Sequence, residues 1–287
     1  MIGARGSVPK LALPGRTVLI TGAAQGIGLA LARHLYAQDA AVALIDVDGA
    51  AVRRAAAELG ASALALDADV RDRAAMAEAV EATVRHFGSL DVVVANAGVS
   101  PAMATLRTMN GDDFDRVLSI NLVGVFNTVR PALDHVIERN GHVVLVSSCA
   151  AFSPPAGGSP YMISKAAVEQ LGRALRIELA GLGTSVQTAY FGIVDTEMTH
   201  KTLDADDLGR RINRMLPWPL SRRITAEQAA QSIADGITRR AVTTMAPTGW
   251  QVYSLLRGAA NPAADHLLAR DKRMRELISD IEKLKSV

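Results

Sequence analysis

The stretch that decides the fold is Arg16-Thr-Val-Leu-Ile-Thr-Gly-Ala-Ala-Gln-Gly-Ile-Gly28. Its first half is short, apolar and β-branched, which predicts a buried strand. Glycines follow at 22, 26 and 28, and a helix-forming segment begins at Leu29. Glycine has no Cβ, so its backbone can approach a phosphate closely, and the helix N-terminus beside it supplies free N–H groups. A strand, a glycine-rich turn and a helix in this order predict a dinucleotide site rather than a plain tight turn.

Strands and helices continue to alternate along the chain. Further buried strands are predicted at Ala41–Asp46, Ser62–Leu66, Asp91–Ala95, His142–Ser147, Ser185–Tyr190 and Ala241–Ala246. Helices are predicted at Leu29–Gln38, Arg71–Phe87, Asp113–Arg139 with a kink or break at Pro131, Tyr161–Leu182 and from Thr225 onward. Uniformly apolar strands separated by helices are typical of a parallel sheet covered on both faces. The predicted fold class is therefore α/β, a Rossmann-like doubly wound parallel sheet of seven strands with helices on both faces.

The second predicted strand ends in an acid, Asp46, which lies 18 positions beyond Gly28. A carboxylate there can accept hydrogen bonds from ribose hydroxyls and repels a 2′-phosphate. Asp46 could also cap the helix that begins near Gly49, and the two roles are compatible. No arginine or lysine occurs between Thr21 and Leu29, and Arg53 and Arg54 on the next helix are expected to face solvent. The pattern favours NAD over NADP.

A second motif, Tyr161-Met-Ile-Ser-Lys165, follows Pro160 at the start of a predicted helix. Proline fits the first turn, where its missing N–H costs nothing. Tyr161 and Lys165 are four positions apart, so their side chains share one helical face. A phenol beside an ammonium group is a proton donor and acceptor with a tunable pKa. Alone, the pair is equally consistent with two surface residues.

Composition limits the classes of protein to consider. Of 287 residues, 49% are hydrophobic and 21% charged, which is typical of a globular chain with a sizeable core. The net charge of +2 is too small to argue for a nucleic-acid partner. The single cysteine, Cys149, excludes an intrachain disulfide and a multi-cysteine metal site, and the histidines show no metal-binding spacing. We expect no metal, no stable membrane insertion, and a cytoplasmic location.

Taken together, the motifs resemble those of the short-chain dehydrogenase/reductase family, in its single-domain branch. The resemblance covers about residues 14–250. It rests on the following motifs in order: Thr21-Gly22-x-x-x-Gly26-x-Gly28, Asn96-Ala97-Gly98, Asn121, Ser148 and Tyr161-x-x-x-Lys165. In the family a serine precedes the tyrosine by thirteen positions, which selects Ser148 and leaves Ser147 a structural role.

The resemblance implies four catalytic residues. Tyr161 would be the general acid/base at the substrate oxygen, and Lys165 would lower its pKa from about 10 while holding the nicotinamide ribose. Ser148 would orient the substrate oxygen. Asn121, in the middle of the long predicted helix, would hold a water that connects Lys165 to solvent. The implied reaction interconverts a secondary alcohol and a ketone, an activity on CH–OH groups.

The resemblance also implies a set of cofactor-binding residues. Asp69 and Val70 would flank the adenine, and Val194 and Thr196 would hold the carboxamide. The family's usual proline before Gly192 is Phe191 here, which puts the local loop geometry in doubt and offers an apolar wall beside the nicotinamide. The full implied set is Gly22, Gln25, Gly26, Ile27, Gly28, Asp46, Val47, Asp69, Val70, Asn96, Ala97, Gly98, Tyr161, Lys165, Gly192, Val194 and Thr196.

Residues 196–224 carry no strand pattern and are expected to form a helical lid over the nicotinamide. Phe191 and a group of large apolar residues are candidates for a substrate pocket. An apolar pocket favours a steroid, a terpenoid or a lipid-like alcohol or ketone over a sugar. The further candidates are Phe152, Pro154, Pro155, Met162, Met198, Met215, Leu216 and Trp218.

The predicted domain organisation has three parts: an N-terminal arm at 1–13, one Rossmann-like domain at 14–250, and a C-terminal helical extension at 251–287. Within the extension, Leu267–Lys285 has the pattern of a charged amphipathic helix. The extension could cover the substrate pocket, join a subunit interface or touch a membrane surface, and we rank them in that order. The family commonly forms tetramers, so a homotetramer or a homodimer is expected.

Two other functions compete with a dehydrogenase. A catalytically silent NAD-binding or sensing protein could keep the fold, although Asn121, Ser148, Tyr161 and Lys165 are all present. An NADP-preferring carbonyl reductase would differ only in the cofactor. A serine hydrolase is disfavoured, because the chain contains no G-x-S-x-G elbow.

Overall fold

A computed structural model of the chain describes residues 9–153, 156–205, 207–216 and 218–284. Nine strands lie within these residues. They are β1 (Thr17–Thr21), β2 (Ala41–Asp46), β3 (Ala63–Asp67), β4 (Val92–Ala95), β5 (His142–Val146), β6 (Ser185–Phe191), β7 (Ile193–Asp195), β8 (Arg223–Thr225) and β9 (Thr243–Ala246). Seven of the strands form one parallel sheet in the order β3-β2-β1-β4-β5-β6-β9. The predicted seven-stranded parallel sheet is confirmed.

The helices lie between the strands, on both faces of the sheet. Besides the α-helices, a π-helical turn covers Ser119–Val123, a 3₁₀ turn covers Cys149–Ala151, and a second π turn covers His200–Asp204. The α-helices are α1 (Gly26–Tyr36), α2 (Gly49–Leu59), α3 (Arg73–Phe87), α4 (Gly111–Leu118), α5 (Gly124–Glu138), α6 (Ser159–Glu178), α7 (Glu197–Thr199), α8 (Asp207–Met215), α9 (Ala226–Arg239), α10 (Gly249–Arg270) and α11 (Lys272–Lys283).

The sheet separates two apolar cores. Because side chains alternate across a strand, Val18 and Ile20 of β1 lie in one core and Leu19 in the other. Helices α1 and α9 pack on the first face, and α3, α5 and α6 on the second. Strand order reverses between β1 and β4, so the carboxyl ends of these strands border a crevice.

Two sequence predictions are corrected by the structure. A strand was not expected in the lid segment, yet β8 pairs in parallel with β7 as a separate two-stranded sheet. It has three residues and one buried side chain, Ile224, which is too short to show a periodic pattern. The long helix predicted at Asp113–Arg139 is interrupted at the π turn, where Gly124 N–H donates to Ser119 O, while Pro131 lies within α5.

The C-terminal region forms two helices rather than the one predicted at Leu267–Lys285, whose last residue lies outside the described part. Asp271 separates them, because its carboxylate caps α11 by accepting from the N–H groups of Arg273 and Met274. On α10, Arg257 pairs with Glu169 of α6 through both carboxylate oxygens, with one nitrogen–oxygen distance of 2.9 Å. Within the described residues, no helix is both long and apolar enough to cross a membrane.

Candidate functional site

A first cleft of about 360 Å³ opens at the carboxyl ends of β1, β2, β4 and β5. It brings together almost all of the predicted cofactor residues. Gly28 is the exception, and Asn121, which was predicted to be catalytic, does not line this cleft either. The lining includes Gly22, Gln25, Gly26, Ile27, Asp46, Val47, Asp69, Val70, Asn96, Ala97, Gly98, Ser148, Tyr161, Lys165, Gly192, Val194 and Thr196.

The glycine loop has a backbone that only glycine adopts without strain at two positions. Gly22 and Gly26 have φ angles of +66° and +54°, in the left-handed region that a Cβ disfavours. Gly28 has a different reason to be glycine, because a Cβ there would overlap the carbonyl oxygen of Gly22. The third glycine therefore lets α1 start close to β1, and the first two shape the loop that faces the cleft.

Hydrogen bonds lock the glycine loop to the neighbouring strand β4. The Asn96 amide donates to the carbonyl oxygens of Thr21 at 2.9 Å and Gly22 at 3.2 Å. In return, the Thr21 hydroxyl accepts from the backbone N–H groups of Asn96 and Ala97 at 3.1 and 3.2 Å. These bonds hold the two sides of the crevice at a fixed separation.

The acidic residues of the cleft are held in place by short-range hydrogen bonds. Asp46 accepts from Ala24 N–H at 3.0 Å and from Asp48 N–H at 3.1 Å. Asp69 binds the Arg71 guanidinium, and the hydrogen bonds from Arg71 lower the pKa of Asp69. Sequence reasoning missed Arg71, which lines the cleft two positions after Asp69; its nearness to Asp69 was the available signal.

Tyr161 lies on the first turn of α6, beside the Ser148 hydroxyl at the end of β5. Ser148 Oγ donates to Phe191 O at 3.3 Å and accepts from Ala150 N–H at 3.1 Å. Burial raises the pKa of the Tyr161 phenol, and hydrogen bonding with Ser148 partly opposes that increase. Burial acts against the lowering that the sequence analysis expected from Lys165, because loss of solvent disfavours the phenolate, and that lowering stays a prediction.

Lys165 is buried one helical turn after Tyr161, with 3% of its surface exposed. Its ammonium nitrogen donates to Val146 O at 2.9 Å and lies 5.6 Å from the centroid of the Tyr161 ring. Burial lowers the pKa of Lys165 to about 8. Ser147, expected to be structural, donates to the backbone carbonyl oxygen of Lys165 at 2.8 Å and so fixes this turn of α6.

Asn121 lies on the π turn, and its side chain is fully engaged by the protein. The amide oxygen accepts from Val99 N–H at 2.8 Å, and the amide nitrogen donates to Val99 O at 2.9 Å and Ser164 Oγ at 3.2 Å. A Cβ on Gly98 would lie 3.4 Å from both Asn121 Oδ1 and Lys165 Nζ. Asn121 therefore anchors the loop after β4 near Lys165, and its proposed water relay stays a prediction.

The loop after β6 closes the cleft on the side of Phe191. Phe191 is 3% exposed, and its carbonyl oxygen is the acceptor for Ser148. At Gly192, a Cβ would lie 2.5 Å from Trp250 Nε1, so α10 packs directly on this loop. The Thr196 hydroxyl caps α7 and also lies 3.4 Å from Val194 O. With phenylalanine at 191, the loop still brings Gly192, Val194 and Thr196 to the cleft.

A second cleft of about 340 Å³ adjoins the first. Its apolar wall comes from the loop after β4, from α6 and from the lid, and includes Met103, Met162, Ile212, Leu216 and Trp250. The two clefts meet at residues that line both of them. These shared residues are Ser148, Tyr161, Phe191, Gly192, Met198 and Thr199.

The pocket predictions are corrected for three residues. Phe152 does not line the second cleft; its ring packs in an aromatic cluster with Tyr190, Trp250 and Tyr253 behind the wall. Trp218 is 84% exposed and Met215 is also absent from the lining. Pro154 and Pro155 lie outside the described residues.

The helix α11 is joined by side-chain contacts to the lid helix α8 and to the segment before α4. Asp280 accepts from Arg211 of α8 at 2.8 Å. Glu282 pairs with Arg107 and accepts from the Thr105 hydroxyl at 3.0 Å, in the segment before α4. Leu277 and Ile281 of α11 are each 1% exposed. The C-terminal extension thus connects the lid with the segment before α4.

The cleft fits a dinucleotide by its own geometry. Two backbone positions without a Cβ, a helix N-terminus at α1 and an acid at the end of β2 occur in the order that such a ligand requires. Among the described residues, no group of three or more histidine, cysteine or acidic side chains is placed to hold a metal ion.

Comparison with known proteins gives consistent matches. Residues 16–207 match the family described as short chain dehydrogenase. Probable oxidoreductase EphD of Mycobacterium tuberculosis is 32% identical over 252 residues, covering 84% of this chain and 42% of that protein. Cis-4-hydroxycyclohexanecarboxylate dehydrogenase of Sinomonas cyclohexanicum is 36% identical over 222 residues, covering 76% and 88% of the two chains. This chain thus spans less than half the length of the EphD relative.

A solved structure shows the same fold. The crystal structure of 3-ketoacyl-(acyl-carrier-protein) reductase from Brucella melitensis, complexed with NADH, aligns with a TM-score of 0.74 and 27% identity. The alignment covers 82% of this chain and 97% of the reductase.

Proposed function

The chain belongs to the short-chain dehydrogenase family, and we propose that it is an NAD(H)-dependent oxidoreductase of hydrophobic secondary alcohols and ketones. The observation that carries the proposal is the position of Ser148 and Tyr161. Both line the cofactor cleft and the apolar cleft beside it. The cofactor and the substrate have to lie against each other for hydride transfer, so the group that exchanges a proton with the substrate oxygen belongs where the two clefts meet. Ser148 and Tyr161 lie at this junction.

Different residues at the crevice would bind different parts of the nucleotide. The glycine loop and the start of α1 would face the pyrophosphate, Asp46 the adenosine ribose, and Asp69 and Val70 the adenine. Lys165 would face the nicotinamide ribose, with Val194 and Thr196 at the carboxamide. When bound, the nicotinamide ring accepts or supplies the hydride.

Side chains of the protein accept and supply the proton. In alcohol oxidation, the substrate hydroxyl gives its proton to the Tyr161 oxygen while the carbon–hydrogen bond is broken by hydride removal. In ketone reduction, Tyr161 gives the proton back to the carbonyl oxygen. Ser148, whose hydroxyl donates to Phe191 O in the structure, would turn that hydroxyl to donate to the same substrate oxygen and so fix its position. Lys165, whose pKa is about 8, is the nearby cation that stabilises the phenolate while Tyr161 is deprotonated.

The preference for NAD is supported by charge. Lys165 and Arg71 are the cations that line the cofactor cleft in the described residues, and Arg71 is already bound by Asp69. The Asp46 side chain places a carboxylate at the end of β2, where its charge would repel a 2′-phosphate. No cation of the glycine loop offsets it.

The hydrophobic substrate class is supported by the lining of the second cleft, which includes three methionines, two leucines, two isoleucines and Trp250 beside its polar side chains. A related protein is named for its action on cis-4-hydroxycyclohexanecarboxylate, a ring alcohol. We propose that ring alcohols and the corresponding ketones are the class to test first.

A turnover screen with both cofactors tests the proposal. Purified protein is assayed with NAD⁺ and NADP⁺ over a panel of hydrophobic ring alcohols, and with NADH and NADPH over the matching ketones. We expect turnover with a preference for NAD(H), and Asp46→Ala should reduce that preference by about tenfold or more. An unmodified enzyme that prefers NADP(H) would contradict the cofactor assignment. Tight NADH binding with no turnover across the panel would instead support a silent binding protein.

A further inference from the structure

The lid helix α8 contributes a polar side chain, Asn213, to the second cleft. Its amide oxygen is buried and has no hydrogen-bond partner among the described residues. Five buried side-chain polar atoms in the described residues are unpaired, and Asn213 is the one residue among them that lines either cleft. A buried carbonyl without a donor costs about 1–3 kcal/mol, so this oxygen requires an explanation.

The other polar side chains of the lid in this lining are already engaged. Lys201 pairs with Glu197 at 2.7 Å. The Thr202 hydroxyl donates to Met198 O at 2.8 Å, and the Thr199 hydroxyl donates to Val194 O at 2.5 Å. The Asn213 amide thus differs from these neighbours because its oxygen accepts no hydrogen bond.

The C-terminal extension contacts α8 close to Asn213. Arg211, two residues earlier on α8, donates to Asp280 of α11 at 2.8 Å. Asn213 lines only the second cleft, whereas Ser148 and Tyr161 line both. Asn213 therefore belongs to the part of the pocket away from the cofactor. Because its oxygen is enclosed by protein, the amide has to turn about the Cβ–Cγ bond before this oxygen can accept from a ligand.

We propose that Asn213 is a specificity-determining residue that accepts a hydrogen bond from a second hydroxyl group on the substrate, remote from the carbon that is oxidised. The inference rests on the proposed alcohol dehydrogenase function and narrows its substrate class to hydrophobic diols and hydroxyketones. A site that provides a buried acceptor discriminates against an analogue that lacks the donor, because the acceptor is then left unpaired.

Matched substrates test the inference directly. The probes are the diol, the mono-ol and the mono-methyl ether of three frameworks of increasing length: cyclohexane with oxygens at carbons 1 and 4, bicyclohexyl at 4 and 4′, and androstane at 3 and 17. For the framework that spans the pocket, wild-type kcat/KM should favour the diol over the ether by about tenfold, which one hydrogen bond can supply. The ether keeps the oxygen and removes only the donor.

Variants at residue 213 locate the effect. Asn213→Leu and Asn213→Ala should abolish the diol preference while the mono-ols are still oxidised, and Asn213→Asp, which keeps an acceptor, should restore it. Arg214→Leu, at an exposed position of the same helix, is the control and should retain the preference. Thermal unfolding and NADH binding of each variant verify folding.

The outcomes separate this inference from the proposed function. Oxidation of mono-ols with no diol preference in the wild type, or a preference that survives in Asn213→Leu and Asn213→Ala, overturns the role of Asn213 alone. The second result would indicate that an ordered water satisfies the amide. Absence of any alcohol oxidation with either cofactor overturns the proposed function, and this inference with it.

Discussion

The first cleft (the cofactor cleft) and the second cleft (the substrate pocket) are built by different means, although Tyr161 lines both. The cofactor cleft stands on the ends of paired strands, and its contacts involve backbone groups, such as the N–H groups of Asn96 and Ala97 on Thr21. The substrate pocket is lined in part by the lid, and α11 is joined to that lid through Arg211 and Asp280 and to the segment before α4 through Arg107 and Glu282. We therefore expect the chemistry to depend on the first region and the choice of substrate on the second.

The difference predicts how each region responds to substitution. A parallel sheet holds its strand ends at fixed distances, so single changes in the cofactor cleft should affect the reaction itself. Partly exposed ion pairs contribute about 0–1 kcal/mol each, so changes in the substrate pocket should shift affinity gradually. Three substitutions of decreasing expected effect can break or sharpen this contrast.

Tyr161→Phe should have the largest effect. It removes the hydroxyl that exchanges the proton and leaves the ring in place, so kcat should fall by about 10²–10⁴-fold. The affinity for NADH, measured by fluorescence titration, should change little. Met162→Leu, at the next position and in the second cleft, serves as the control and should keep most of kcat. Near-normal turnover by the phenylalanine variant would refute the proton-transfer role.

Lys165→Met should separate stability from activity. Burial lowers the lysine pKa from 10.5 to about 8, so between these pH values the unfolded chain binds more protons than the folded one. Stability of the wild type should therefore rise from pH 8 to pH 10.5, and the full cost of the buried charge applies below pH 8. The methionine variant should lose activity, gain about 3 kcal/mol of unfolding free energy at most at pH 7, and lose that pH-dependent rise.

Urea unfolding at pH 7 and pH 9 measures both effects of Lys165→Met. The lost hydrogen bond to Val146 O reduces the gain. A variant that is less stable than the wild type at pH 7 by several kcal/mol would show that the lysine contributes more through packing and hydrogen bonding than its burial costs.

Glu282→Gln should have the smallest effect of the three. It removes the charge that pairs with Arg107 and keeps an oxygen for the Thr105 hydroxyl. KM for the substrate should rise about twofold to fivefold, with kcat and the KM for NADH nearly unchanged, and the wild type should approach the variant at high salt. Glu276→Gln, whose partner Lys272 lies on the same helix at 3.7 Å, is the matched control. A large loss of kcat would show that the two regions are not separable.

The sequence predicted the first region far better than the second. Strand β2 was placed at Ala41–Asp46, as observed, and the glycine loop was identified because its constraints are local and concern consecutive residues. The π turn around Asn121 was not predicted, since the amphipathic pattern runs through it without a break. Trp218 was assigned to the pocket from its size, yet it is exposed.

The second region escaped prediction because its determinants are distant in the sequence. Arg211 and Asp280 are 69 positions apart, and Arg107 and Glu282 are 175 apart. Periodicity on α11 predicted a buried face and a charged face, but nothing local indicates which charge meets which partner. The unpaired oxygen of Asn213 is likewise visible only once the lid has been packed against the body.

The pairing of Glu169 with Arg257 has a consequence for the order in which the chain is made. Glu169 lies on α6, the helix of Tyr161 and Lys165, and its partner follows 88 positions later. At 5–20 residues per second, a ribosome delivers Arg257 roughly 4 to 18 s after Glu169. By the time Arg257 is made, the residues that line the cofactor cleft, the last of which is Thr199, have all been synthesised, and so has Trp250 of the second cleft. The lining of the cofactor cleft is therefore complete in the nascent chain before the lining of the second cleft, and the carboxylate on α6 gains its arginine only after both.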